Sequence, residues 1–115
     1  MAGVTVQRDG ERRRFPLVEG IDIEPVLGAR LNINVVTLSP GAVAPLHTHD
    51  EEQIGYVVSG TCAFSDAAQT WTLGAGDSYR CAPGAPHGAT ADADGCVIID
   101  AFAPPRAGVQ KLLES

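Results

Sequence analysis

The chain has 115 residues, 44% of them hydrophobic, and a net charge of −6, enough for one packed domain spanning residues 1–115 without disulfide or metal staples. With a single basic cluster, Arg12-Arg13-Arg14 beside Glu11, it lacks the footprint of a nucleic-acid binder, and no apolar run approaches the roughly 18 residues of a membrane span. Cys62, Cys81 and Cys96 make no Cys-x-x-Cys pair, so neither a disulfide framework nor a thiolate zinc site is expected, and the setting reads as reducing and cytoplasmic.

The N-terminus runs into charged residues without an apolar leader, which predicts a soluble, unprocessed chain. Residues 1–30, with Pro16 and Pro25, read as edge strands or an arm; an arm swapped onto a second subunit is one arrangement they allow, and a homodimer is the expected assembly. Thirteen glycines and eight prolines exceed the usual share of about 12% and predict short elements joined by turns. Strands are expected over Leu31–Leu38, Ala44–His49, Gln53–Ser59, Thr61–Ser65, Gln69–Leu73, Ser78–Cys81 and Cys96–Phe102, a spacing typical of an all-β sandwich or barrel. Between them Ser39-Pro40-Gly41, Ser59-Gly60, Gly74-Ala75-Gly76-Asp77, Pro83-Gly84-Ala85-Pro86 and Asp92-Ala93-Asp94-Gly95 each read as a break that reverses the chain. The barrel core is thus placed at 31–106. Residues 107–115 form a tail or short helix, Val109–Glu114, which needs docking to be stable.

The chain has three histidines, and their spacing carries the chemistry. His47 and His49 are two apart, so on a strand both imidazoles project from one face toward one ion. Gln53 shares that face if a tight connection at Asp50-Glu51 precedes its strand. Glu51 and Glu52 are neighbouring alternatives, but Glu52 points to the opposite face and register favours Gln53. His87 follows Pro83-Gly84-Ala85-Pro86, a rigid turn able to aim it into a barrel mouth.

These residues resemble the cupin family. Gly41, five residues, His47, one, His49, three, Gln53, six, Gly60 is similar to the first cupin motif, with Gln53 where the family usually has glutamate. Gly76, then Gly84, two residues and His87 resembles the second, with Ala82 in place of the family's proline and Ala91 in place of its asparagine. The resemblance implies an all-β double-stranded β-helix, a jelly-roll barrel, holding one divalent metal on His47, His49, Gln53 and His87. Such ligands are all neutral and leave the ion its full charge, which suits Lewis-acid chemistry. Ligand type alone admits Zn, Fe, Ni, Mn or Cu.

Asp100, Phe102, Pro104 and Arg106, together with His-x-His-x-x-Glu-Gln-Ile-Gly-Tyr, are similar to the small cupins of pectin and alginate breakdown, which open the ring of unsaturated uronates to a linear keto form. That resemblance implies a small-molecule substrate carrying a carboxylate, with Asp100 moving a proton and Arg106 securing the acid group. Asp100 ends an apolar run, so it is at an exposed strand end, paired with an arginine, or kept for catalysis. Arg106 is a solvated charge or a planar fork for a carboxylate. Tyr56 and Tyr79 read as cross-strand packing or as donors into the cavity, Trp71 as core or rim packing, Cys81 as structural and Arg12–Arg14 as a solvated face. Three functions stay open: a non-redox metalloenzyme, a dioxygenase or polyketide cyclase cupin, and a non-catalytic sugar or effector module.

Overall fold

In a computed structural model that describes residues 3–115, the elements follow as β1 (Phe15–Val18), β2 (Ile21–Leu27), β3 (Asn32–Leu38), β4 (Val43–His47), β5 (Glu52–Ser65), β6 (Thr70–Gly74), β7 (Ser78–Cys81), β8 (His87–Ala103) and α1 (Val109–Glu114). Every pairing is antiparallel. Among the described residues no helix is long and apolar enough to cross a membrane.

Two long strands set the architecture. β5 has 14 residues and β8 has 17, so β8 alone would extend for about 55 Å if straight, against a body of 46 × 29 × 26 Å. Both therefore bend, and each serves two sheets. The first half of β5 and the second half of β8 join β1, β2, β3 and β7 in a larger sheet; the remaining halves join β4 and β6 in a smaller one. The two layers close face to face as a jelly-roll barrel.

The bend falls where the β5–β8 register slips, around Gly60. Gly60 has φ 75°, and a Cβ there would run into the Gly95 carbonyl. Two expectations are corrected at this point. Ser59-Gly60 and Asp92-Ala93-Asp94-Gly95 do not reverse the chain; each is a corner inside a continuous strand, because left-handed glycines serve a β-bulge as readily as a turn. Consequently one strand spans Glu52–Ser65, and the last strand starts at His87 rather than Cys96.

The core lies between the layers. β3 alternates buried and half-buried residues without interruption, so Val36 and Leu38 face inward and meet Ile98 and Cys96 across the β8 ladder. Phe64, Cys62 and Ala91 close it from the smaller sheet. Residues expected to be edge strands or an arm form β1 and β2 and contribute directly: Ile21 and Ile23 of β2 are 1% and 2% exposed. Arg13 does more than face solvent, donating to the Leu113 carbonyl at 3.1 Å and so tying down α1. Cys62 and Cys81 are free, buried thiols whose pKa values burial pushes up to about 12 and about 11, which makes them inert packing groups.

Candidate metal centre

β4 and β8 pair so that His47 sits directly opposite His87. β4 ends at His47, however, and His49 lies in the connection beyond it, so strand alternation does not place His49 as expected. It still reaches the cluster, because the turn through Asp50 folds back into β5. The ring centroids of His47 and His87 are 4.5 Å apart and those of His49 and His87 4.9 Å. One ligand atom from each of the three lies within 4.8 Å of the others, a donor set that can hold a metal ion. Gln53, inward-facing on β5, puts Oε1 2.9 Å from His49 Nε2 and 3.0 Å from His87 Nε2. Glu52 points out to solvent, where it pairs with Arg80.

The hydrogen bonds of these residues suit a cation. Each Nδ1 faces a backbone carbonyl: His47 that of Pro45 at 2.8 Å, His49 that of Glu51 at 3.1 Å, and His87 that of Ala85 at 2.8 Å. A carbonyl only accepts, so each neutral ring carries its proton on Nδ1 and presents a bare Nε2 lone pair inward. Burial also depresses the His87 pKa, with the neighbouring histidines and Arg106 acting in the same direction against the Ala85 carbonyl, which keeps that ring neutral. Gln53 turns its amide oxygen, an acceptor only, toward the Nε2 atoms of His49 and His87. Lone pairs thus confront lone pairs with no proton among them, an arrangement that a divalent ion satisfies.

Asp100 is neither at an exposed strand end nor paired with an arginine. It is buried on β8 and accepts a 2.5 Å hydrogen bond from Tyr79 Oη. Desolvation raises its pKa, and the Tyr79 and Gln53 hydrogen bonds oppose that rise; Tyr79 is itself pushed up by burial and by the facing carboxylate. The contact depends on Gly55, which sits between Tyr79 and Asp100 in the β7–β5–β8 register. Any side chain at Gly55 would overlap the Tyr79 ring. Tyr79 is therefore a site residue that the sequence leaves as one of two readings, whereas Tyr56 points away on the outer face, 51% exposed.

Glu51, which the sequence offered only as an alternative ligand to Gln53, has a different place in the site. It is 6% exposed, with Oε1 3.3 Å from His49 Nδ1 and 3.6 Å from Arg106 Nη1, while Oε2 accepts from the Ala107 N–H at 2.7 Å. Burial pushes its pKa up, but the Ala107 N–H, its own N–H, Arg106 and His49 outweigh this and hold it below the usual range. It stays charged. Buried Asn32 helps by accepting from the Arg106 N–H at 2.6 Å and donating to Asn34 at 3.1 Å. The only sequence signal was proximity to the histidines.

The histidines, Gln53, Asp100 and Arg106 line one cavity of about 380 Å³, to which Val109 and Leu112 of α1 also contribute. Ile23, Val36, Phe64 and Ile98 are among the apolar residues that make up most of the rest of its lining.

The fold and both motifs are shared with known proteins. The family described as "Cupin domain" matches residues 34–102. The pectin degradation protein KdgF of Dickeya dadantii is 34% identical over 73 residues, spanning 63% of this chain and 66% of that protein. The structure of KdgF from a Halomonas species superposes with a TM-score of 0.84 at 28% identity, covering 90% of this chain and 96% of that one. An RmlC-like cupin from Shewanella frigidimarina gives 0.82 at 25% identity, over 88% and 91%. By motif, barrel and family match, the chain belongs to the cupin family.

Proposed function

We propose that this protein is a metal-dependent enzyme that isomerises or ring-opens a hydroxy-carbonyl or uronate-type carboxylate without redox chemistry, with His47, His49, Gln53 and His87 as the metal ligands. The observation that carries the reading is the hydrogen-bonded Tyr79–Asp100 pair lining the same cavity as the histidine cluster. Likeness to proteins of pectin degradation supports the substrate class. A divalent ion bound there supplies Lewis-acid polarisation of a substrate oxygen.

The chain's own groups do the rest. Arg106, its side chain 33% exposed and its Nη1 3.6 Å from Glu51, lines the cavity and takes the substrate carboxylate as a planar fork. Asp100, with its pKa raised, is closer to working pH than an ordinary carboxylate and so suited to proton transfer. In ring opening, Asp100 accepts the proton of the anomeric hydroxyl as the C=O forms and the ring C–O bond breaks. The released ring oxygen of an unsaturated uronate is an enolate, and returning the proton to its carbon gives the ketone. Atoms and charge balance, and no oxidant is needed. Tyr79 steadies the carboxylate through the cycle, and the largely apolar lining of the cavity disfavours bulk water.

The test is metal analysis and turnover on unsaturated uronates from lyase-digested pectin, using protein purified without an affinity tag. One metal per chain, product formation without O₂ uptake and a roughly 10²-fold loss in Asp100→Asn at unchanged metal content are expected. Obligatory O₂ consumption, or full turnover by Asp100→Asn, sinks the reading.

A further inference from the structure

A backbone N–H only donates, so it fixes the orientation of any amide side chain it meets. At the start of β3 it fixes two in series. The Arg106 N–H lies 2.6 Å from Asn32, so the atom it meets there is Oδ1. Asn32 Nδ2 is then the donor in the 3.1 Å bond to Asn34, whose facing atom is the acceptor Oδ1. The polar atom of Asn34 left over is Nδ2, which has protons to give and no capacity to accept. Asn34 is 5% exposed and lines the cavity. Among the described residues its side chain makes the bond to Asn32 and no other. In the β3–β8 ladder it stands directly opposite Asp100, which lines the same cavity; such cross-strand partners have Cβ atoms about 5 Å apart. The next buried positions of the same strand are Val36 and Leu38, so packing alone would be served by apolar side chains here too. A buried, oriented donor beside Asp100 calls for an acceptor on the substrate.

We propose that Asn34 is a catalytic hydrogen-bond donor, giving its Nδ2–H to the ring oxygen of the substrate as that oxygen becomes an enolate. The inference rests on the ring-opening reading above and names the atom of the substrate that the cavity reads. The anomeric hydroxyl that gives its proton to Asp100 and the ring oxygen are bonded to the same carbon. A substrate whose hydroxyl meets Asp100 therefore brings its ring oxygen to the neighbouring strand position, which is that of Asn34. As the ring C–O bond breaks, its electron pair stays on this oxygen and the hydroxyl proton goes to Asp100; Asn34 transfers nothing and is unchanged at the end. Its hydrogen bond strengthens as charge gathers on the oxygen, which is the differential binding that lowers a barrier. Because the Arg106 N–H already holds Asn32, and Asn32 holds Asn34, the donor needs no reorientation when the charge appears. The substrate class follows: a pyranose with a free anomeric hydroxyl, and not its carbocyclic analogue, in which a CH₂ would leave this donor unpaired.

The test compares metal-loaded wild type with Asn34→Ala on a monomeric unsaturated uronate. Loss of one donor to a developing oxyanion should lower kcat about 10²-fold. KM and metal content should hardly change, because the bond is weak until charge develops. Should Asn34→Ala not melt cooperatively, Asn34→Thr carries the same expectation: threonine suits a strand, and its hydroxyl ends one bond short of the amide nitrogen. Shikimate supplies a readout apart from turnover. It has the carboxylate, the ring double bond and the three hydroxyls of the uronate, with CH₂ in place of the ring oxygen. Calorimetry should find that both proteins bind it and that Asn34→Ala binds it more tightly, since the variant has no donor to strand against the CH₂. Weaker binding of shikimate by the variant would place the donor on an oxygen the two molecules share and overturns the proposal, as does binding by neither protein. A wild type inert on the uronate removes the ring-opening reading and this inference with it. A wild type that turns over while Asn34→Ala keeps its kcat overturns this inference alone.

Discussion

Glu51→Gln is the most informative single change, because it alters the support of a histidine without touching a donor to the ion. The amide oxygen can still accept from the Ala107 N–H, now 2.7 Å from the carboxylate, but the charge facing His49 Nδ1 and Arg106 at 3.3 and 3.6 Å is gone. If His49 ligates as proposed, losing the partner of such a histidine should weaken metal binding about 10–100-fold. His49 keeps its 3.1 Å contact to the Glu51 backbone carbonyl, so the tautomer is retained and the lower end, about 10-fold, is expected. Glu51→Ala goes further by leaving the Ala107 N–H unpaired, at about 1–3 kcal/mol of stability, or a drop in melting temperature of roughly 5 °C or more. Competition against a chelating indicator measures the first effect and thermal unfolding of the metal-free protein the second. Wild-type metal affinity in Glu51→Gln would refute the coupling of this carboxylate to His49.

Further outcomes follow from the same geometry. Removing metal with a chelator should lower the melting temperature by about 10 °C from a hundredfold-saturated state, worth about 2.7 kcal/mol, while the barrel stays folded; complete unfolding would mark the site as structural. Gly55→Ala should displace the Tyr79 ring and cut turnover with little change in metal content, and a crystal structure with the Tyr79–Asp100 bond intact would contradict this. Arg106→Lys keeps charge but loses the planar fork, so it should chiefly raise KM for carboxylate substrates; an unchanged KM would place the substrate acid elsewhere. Because the folded-state pKa of Asp100 is raised from 3.8, its ionisation opposes folding. That destabilising contribution is absent below the unfolded value and grows as pH rises through the folded one. Metal-free wild type should therefore lose stability relative to Asp100→Asn over that upward interval, and parallel stability curves for the two proteins would exclude the shift.

Much of the fold was legible because its causes are local. The unbroken alternation of Asn32–Leu38, the proline-glycine turn before His87 and the Ser78–Cys81 strand are set by residues adjacent in sequence, and period-two patterning exposes such features directly. The inward placement of Gln53 against Glu52 follows from the same period. Other features needed the tertiary structure. Gly60 and Gly95 read as turns because positive φ serves reversals and bulges alike; only the length of the β5–β8 ladder makes them corners. The Tyr79–Asp100 bond spans 21 residues and crosses β5 at Gly55, so it exists only once two registers are fixed. Glu51 is buried and charged only because the chain returns 56 residues later to offer the Ala107 N–H and Arg106. The sequence by itself determined which donors are available for a metal, since that depends on residue type and short spacing; which acids stay buried beside them was decided by the tertiary structure, because the desolvation and hydrogen bonds that set a carboxylate's charge come from strands far apart in the chain.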